Sequence, residues 1–144
     1  MTQKKFRVYG EPKGKGRPKF STVNGHVNAR TPKETVSYEN LVKTEYRLQC
    51  DNYRFPDDAE LAIHVFAYFS IPKSTSKKRR EAMSSKNILP IKKPDVDNIL
   101  KIVADSLNGI AYRDDAQIAT AFVRKIYSEQ PYISVTIKEI DHVD

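Results

Sequence analysis

The apolar positions of this chain fall into short alternating runs separated by stretches of helical period. Lys4-Lys5-Phe6-Arg7-Val8-Tyr9 alternates and predicts a strand. Gly10 to Lys19 carries Gly10, Pro12, Gly14, Gly16 and Pro18, which predicts a loop. Phe20 to Val27 predicts a hairpin around Asn24-Gly25, a pair suited to a tight turn with positive φ. Tyr38, Leu41, Val42, Tyr46 and Leu48 then recur at helical spacing and predict an amphipathic helix ending near Cys50. Thr31 is its expected cap, with Pro32 in the first turn and Glu34 completing a capping box. After a loop at Asn52–Glu60, Leu61 to Phe69 is apolar on both faces and predicts a central strand. His64 inside it reads as a satisfied core or sheet-face histidine and not a ligand, because no second His or Cys has ligand spacing.

Ser74 to Ser85 predicts a short basic helix. Ile99, Leu100, Ile102, Val103 and Leu107 predict a buried one that starts at Asn98 with Asp97 as its cap and stops at Leu107-Asn108-Gly109. Gln117–Tyr127 and Tyr132–Ile140 predict two closing strands. In the second, Ile133, Val135 and Ile137 share one face and Tyr132, Ser134 and Thr136 the other. This order implies an α+β fold, a mixed, largely antiparallel sheet with helices packed on it. A length of 144 residues is expected to form one domain over 1–144.

Composition narrows the class. With 39% hydrophobic and 30% charged residues, no run approaches the roughly 18 apolar residues of a membrane span. Met1 to Arg7 lacks the apolar core of a signal peptide, and the single Cys50 excludes an intrachain disulfide or a cysteine zinc cage. A cytoplasmic location is expected, nucleoid-associated when on DNA, with no membrane and no small organic cofactor.

The net charge of +7 is unevenly spread. Residues 1–33 hold nine Lys/Arg against Glu11, and residues 73–93 hold eight against Glu81. The intervening and following segments are acidic. Basic surface beside an acidic site suits a polyphosphate and a cation that helps to cleave it. The expected DNA contacts are Lys13, Lys15, Arg17 and Lys19 in the first block. In the second they are Lys77, Lys78, Arg79, Arg80, Lys92 and Lys93. The glycine-rich loop is not a P-loop: Gly10 to Gly14 is one residue short, and Gly16 stands where Ser or Thr should follow Lys15.

Two acidic pairs, Asp95/Asp97 and Asp114/Asp115, lie either side of the buried helix. That helix runs roughly 15 Å. The extended residues after Gly109 reach about 20 Å, so the second pair can return to the first. Carboxylates gathered in this way repel one another unless a cation lies between them. Oxygen donors with no His or Cys favour Mg²⁺ or Mn²⁺ over zinc. Asp95, Asp97 and one of Asp114 and Asp115 are therefore the candidate metal ligands and catalytic carboxylates, since neighbours on an extended segment point opposite ways. Lys101, on the helical face of Asp97, is the candidate phosphate contact. Asn98 is a candidate support behind them, as is whichever of Asp114 and Asp115 faces away from the metal.

Lys92-Lys93-Pro94-Asp95-Val96-Asp97-Asn98-Ile99-Leu100-Lys101, Asp105-Ser106-Leu107-Asn108-Gly109 and Tyr112-Arg113-Asp114-Asp115-Ala116-Gln117-Ile118 resemble the signature of the RusA family of Holliday junction resolvases. Lys15-Gly16-Arg17-Pro18-Lys19 and the Thr31 to Glu39 segment resemble the amino-terminal part of Gram-positive and phage members. The resemblance implies a RusA-like fold, a Mg²⁺-dependent crossover junction endodeoxyribonuclease acting in recombination and repair, and a homodimer. It implies branched DNA as substrate, cut by paired symmetric nicks. It also selects Asp115 over Asp114 and gives Lys101 a catalytic role. The residues alone leave two alternatives open: a nuclease acting on flaps or forks, and a non-catalytic DNA-binding protein whose carboxylates are structural.

Overall fold

A computed structural model describes residues 2–142. The chain runs β1 (Gln3–Tyr9), β2 (Lys19–Val23), β3 (His26–Arg30), α1 (Lys33–Gln49), β4 (Leu61–Ser70), α2 (Lys77–Ser84), α3 (Val96–Ser106), β5 (Ile118–Ser128) and β6 (Tyr132–Glu139). A one-turn 3-10 helix, Asp115–Gln117, precedes β5. The main sheet has the order β1-β6-β4-β5. Its pairings are antiparallel except β4 with β5, which is parallel, so the fold is α+β with a mixed sheet. No helix among the described residues is long and apolar enough to cross a membrane.

Period-two alternation places the core. Phe6 and Val8 of β1, Ile63, Val65 and Phe69 of β4, and Ile133, Val135 and Ile137 of β6 are buried on one face. Tyr38, Val42 and Tyr46 of α1 and Ile99, Ile102 and Val103 of α3 pack against them. Each such side chain contributes about 1.5–3 kcal/mol when fully buried. Leu41 and Leu48 share the period of α1 yet are exposed, because the core-facing stripe is the narrower Thr35, Tyr38, Val42, Tyr46 row.

The central strand departs from expectation. β4 lies between β6 and β5 as predicted, but only one of its faces is covered by helices. On the other, His64, Phe66 and Tyr68 are half-buried among Phe122 and Tyr132, and Tyr68 stacks on Tyr132 at 4.3 Å. An antiparallel partner allows one open face, which a wholly parallel sheet would not. Met83 of α2 is buried, and α2 packs near β5.

Both helix caps also differ from their predicted form. α1 starts one residue later than expected, with Pro32 at the cap position and no side-chain cap bond. Thr35, in the first turn of the helix, accepts the Gly16 amide through Oγ1 at 3.0 Å. α3 starts at Val96, so Asp95 and not Asp97 takes the cap position, again without a side-chain cap bond. The Asp95 carboxylate accepts from the Asn98 side chain at 2.7 Å instead. The β2–β3 hairpin turns at Asn24 and Gly25, both with positive φ, as the Asn-Gly pair predicted.

Candidate active site and nucleic-acid groove

The site is assembled where the loop after β1 folds back over the start of α3. Gly14 makes this approach possible. A Cβ there would lie 2.8 Å from Pro94 Cβ and 3.0 Å from Asn98 Cβ, so the loop lies flat against α3 only without a side chain. The Lys15 amide then donates to the Asn98 carbonyl at 3.1 Å. Gly14→Ala should therefore cost about 1–3 kcal/mol through overpacking. Urea unfolding would measure it, and a midpoint equal to wild type would show that the loop does not need this contact.

This contact builds a groove of about 1120 Å³ lined by Lys13, Lys15, Arg17, Lys92, Lys93 and Asp95, among others. Two basic segments distant in sequence are thus brought together beside Asp95. Lys125 reaches the same region from β5. Its ammonium donates to the Lys92 carbonyl and lies 5.2 Å from the centre of the Phe69 ring. Burial pushes the Lys125 ammonium below its usual range; the Asp95 charge opposes this and Lys92 adds to it. Lys77, Arg80 and Glu129 line a separate cavity around α2, where Arg80 pairs with Glu129 at 3.3 Å. Lys78 and Arg79 are exposed on α2, and Lys19 is exposed on the hairpin.

On the other side of α3 is a smaller acidic cavity of about 330 Å³, lined by Asp97, Leu100, Lys101, Ala104, Asp105 and Asp115 together with Ile118 and Ala121. Asp97, Lys101 and Asp105 lie four residues apart along one helical face. Asp115 arrives by a tightly bonded return. Tyr112, fully buried, donates its hydroxyl to the Ala104 carbonyl at 2.6 Å. The Gly109 amide donates to the Tyr112 carbonyl at 2.8 Å, and the Asp115 amide donates to Asn108 Oδ1 at 2.7 Å. Asp114 is occupied elsewhere: its carboxylate caps the 3-10 turn, accepting from the Ala116 amide at 2.9 Å in a capping box with Gln117. Asp115 is left facing the cavity.

The electrostatics of this cavity are those of crowded carboxylates. Burial holds the Asp115 carboxyl above its usual range, with the nearby Asp105 and Asp114 carboxylates adding to it, while Asn108 opposes. Asp105 is itself flanked by Lys15 at 3.4 Å and Lys101 at 3.8 Å. Among the described residues, no three His, Cys, Asp or Glu side chains gather closely enough to cage a metal ion by themselves. The donor set is all oxygen and self-repelling. That chemistry fits a hard cation held by one or two carboxylates and completed by water and phosphate, the usual manner of Mg²⁺.

Of the residues singled out in the sequence, Asp97, Lys101 and Asp115 share the acidic cavity, while Asp95 and Asn98 line the adjoining groove with Lys13, Lys15, Arg17, Lys92 and Lys93. Asp105, Glu39, Asn108 and Lys125 were not singled out as site residues. A signal for Lys125 existed: it lies between Val123 and Tyr127 in alternation and so points to the helix side of the sheet. Glu39 gave none, since its partner is distant in sequence.

A family model described as endodeoxyribonuclease RusA matches residues 9–138. The chain is also 38% identical over 144 residues to YqaN of Bacillus subtilis (strain 168), itself an uncharacterized protein, covering 94% of this chain and 96% of that relative. The match spans the groove, the acidic cavity and strands β4 and β5 of the sheet. The chain belongs to the RusA family of endodeoxyribonucleases.

Proposed function

We propose that this protein resolves four-way DNA junctions by paired, symmetric, Mg²⁺- or Mn²⁺-dependent nicks. The observation that carries the reading is a basic groove lined by Lys13, Arg17, Lys92, Lys93 and Asp95 on one side of the start of α3 and an acidic cavity holding Asp97, Lys101 and Asp115 on the other. Asp97 and Asp115 would hold the cation, with Asp95 acting directly or through water. A divalent ion held there supplies a more acidic water and neutralises charge on the phosphate. Lys13, Arg17, Lys92 and Lys93 bind the phosphate backbone and aim the strand at the cavity. Lys101, more than half exposed at 61%, is free to swing its ammonium from Asp105 to the scissile phosphate and stabilise the charge that develops there.

A two-fold junction needs two identical sites, which a homodimer provides. The uncovered sheet face with Phe66, Tyr68, Phe122 and Tyr132 supports such an assembly, being an aromatic patch of the kind that partners cover. Analytical ultracentrifugation should give the mass of a dimer; a monomer at every concentration would remove the two-site reading.

The test of function is cleavage of three synthetic substrates, an immobile four-way junction, a flap and a linear duplex, with Mg²⁺ or with EDTA. Paired nicks in opposed strands of the junction alone, abolished by EDTA, are the expected result. Preferential cutting of the flap would replace the substrate. Binding without cutting under any divalent metal would make the protein a DNA-binding module.

A further inference from the structure

Lys15 belongs by sequence to the basic loop, but its charge is directed inward. Its ammonium donates to Glu39 Oε2 at 2.8 Å and lies 3.4 Å from Asp105 Oδ2. All three side chains are mostly shielded, at 21% exposure for Lys15, 16% for Glu39 and 25% for Asp105. The backbone on both sides is fixed as well. The Gly16 amide donates to Thr35 of α1 at 3.0 Å, and the Lys15 amide donates to the Asn98 carbonyl of α3 at 3.1 Å. Burial works to lower the Lys15 pKa, but Glu39 and Asp105 outweigh it and hold it above its usual range. A lysine so engaged has two carboxylate partners within the fold and little freedom to leave them for a phosphate.

The chain of contacts reaches the acidic cavity at Asp105. Its side chain lines the same acidic cavity as that of Asp115. Glu39 on α1, Lys15 on the loop and Asp105 on α3 thus form one linked row across three segments, and it ends at the cavity that Asp115 of the 3-10 turn also lines. A fixed positive charge on one side of Asp105 determines which way that carboxylate turns and how strongly it repels Asp115. We propose that Lys15, held by Glu39, is a positioning residue of the acidic cavity, setting Asp105 and through it Asp115, and is not one of the groove's phosphate contacts. This rests on the nuclease reading above for the purpose of the cavity, though not for the direction of the Lys15 charge.

The experiment separates the two. Junction binding is measured in EDTA against salt for wild type and for Lys13→Met, Lys92→Met, Lys15→Met and Glu39→Gln. Each phosphate contact removed lowers the slope of log K against log salt by about 0.9. Lys13→Met and Lys92→Met should show that loss, and Lys15→Met should keep the wild-type slope. At saturating junction with Mg²⁺, the single-turnover rate of Lys15→Met should fall about tenfold with the apparent KM unchanged. Glu39→Gln should fall equally, and the Lys15→Met/Glu39→Gln double variant no further, as members of one unit behave. Lys15→Arg, which can still bridge two carboxylates, should recover most of the rate. A slope lost in Lys15→Met as in Lys13→Met, with cleavage at saturation intact, would overturn the assignment. If Lys13→Met and Lys92→Met also kept the wild-type slope, the groove itself would be misassigned. If wild type did not cut, the nuclease reading would fail and the slopes would still decide the role of Lys15.

Discussion

Asp97→Asn is expected to abolish junction cleavage while junction binding stays at least as tight as wild type. Asp97 is exposed at the first turn of α3 and lines the acidic cavity with Lys101 and Asp115. The amide is nearly the same size, so packing is untouched, and exposure of the side chain keeps the stability change small. What disappears is one anionic donor for a hard cation and one negative charge facing the incoming phosphate. Loss of a ligand to the ion removes its activation of water and its neutralisation of the phosphate, so cleavage falls below detection. Loss of repulsion between carboxylate and phosphate favours binding, so the rate and the affinity move in opposite directions. Single-turnover cleavage with Mg²⁺, paired with gel-shift titration in EDTA, reads both. Cutting at the wild-type rate would remove Asp97 from the site.

Tyr112→Ala should produce the largest loss of stability, about 3–5 kcal/mol, the range for truncating a fully buried aromatic side chain. Tyr112 has no exposed surface, and its hydroxyl closes the return segment onto α3 through the Ala104 carbonyl at 2.6 Å. The same segment carries the Gly109–Tyr112 backbone bond and ends in the Asn108–Asp115 contact. Against a typical total stability of about 5–15 kcal/mol, such a loss leaves a marginal protein. Tyr112→Phe keeps the ring and removes only the hydroxyl, so it should cost about 0.5–1.5 kcal/mol. Urea denaturation of the three proteins measures both steps. A midpoint for Tyr112→Ala within experimental error of wild type would mean that the return to Asp115 is held by something other than this side chain.

The contrast between what could and could not be read in the sequence is physical. Strands and helices with a buried face were legible because burial imposes a period: Ile133, Val135 and Ile137 on β6, and Ile99, Ile102, Val103 and Leu107 at α3, are buried as their spacing predicted. The Asn24-Gly25 turn was legible because few residues accept positive φ. Caps were not, because a cap is decided by competing partners. Asp95 takes the cap position of α3 but bonds the Asn98 side chain in place of a helix amide, and α1 starts after Pro32 with no side-chain cap bond from Thr31. The open face of β4 was hidden for a related reason: Phe66 and Tyr68 are as apolar as buried residues, and nothing local says that no helix covers them.

The candidate site divides in the same way. The shared face of Asp97 and Lys101 and the return of the Asp114-Asp115 pair were available from helix geometry and chain reach. The choice of Asp115 from that pair came from the family resemblance, and Asp97, Lys101 and Asp115 line one cavity. The contact between the glycine-rich loop and α3 was not, since the Gly14–Pro94 approach depends on tertiary packing between segments eighty residues apart. Lys15 illustrates the limit well. In the sequence it is one cation among many, and only the placement of Glu39 and Asp105 distinguishes it from Lys13.

The most direct measurement is Mn²⁺ titration followed by electron paramagnetic resonance, on wild type, Asp97→Asn and Asp115→Asn without DNA. Wild type is expected to take up the ion and to bind it at least tenfold more tightly than either variant, with Mg²⁺ competing it away. Equal Mn²⁺ binding by all three proteins, or uptake by none, would contradict a cation held jointly by Asp97 and Asp115.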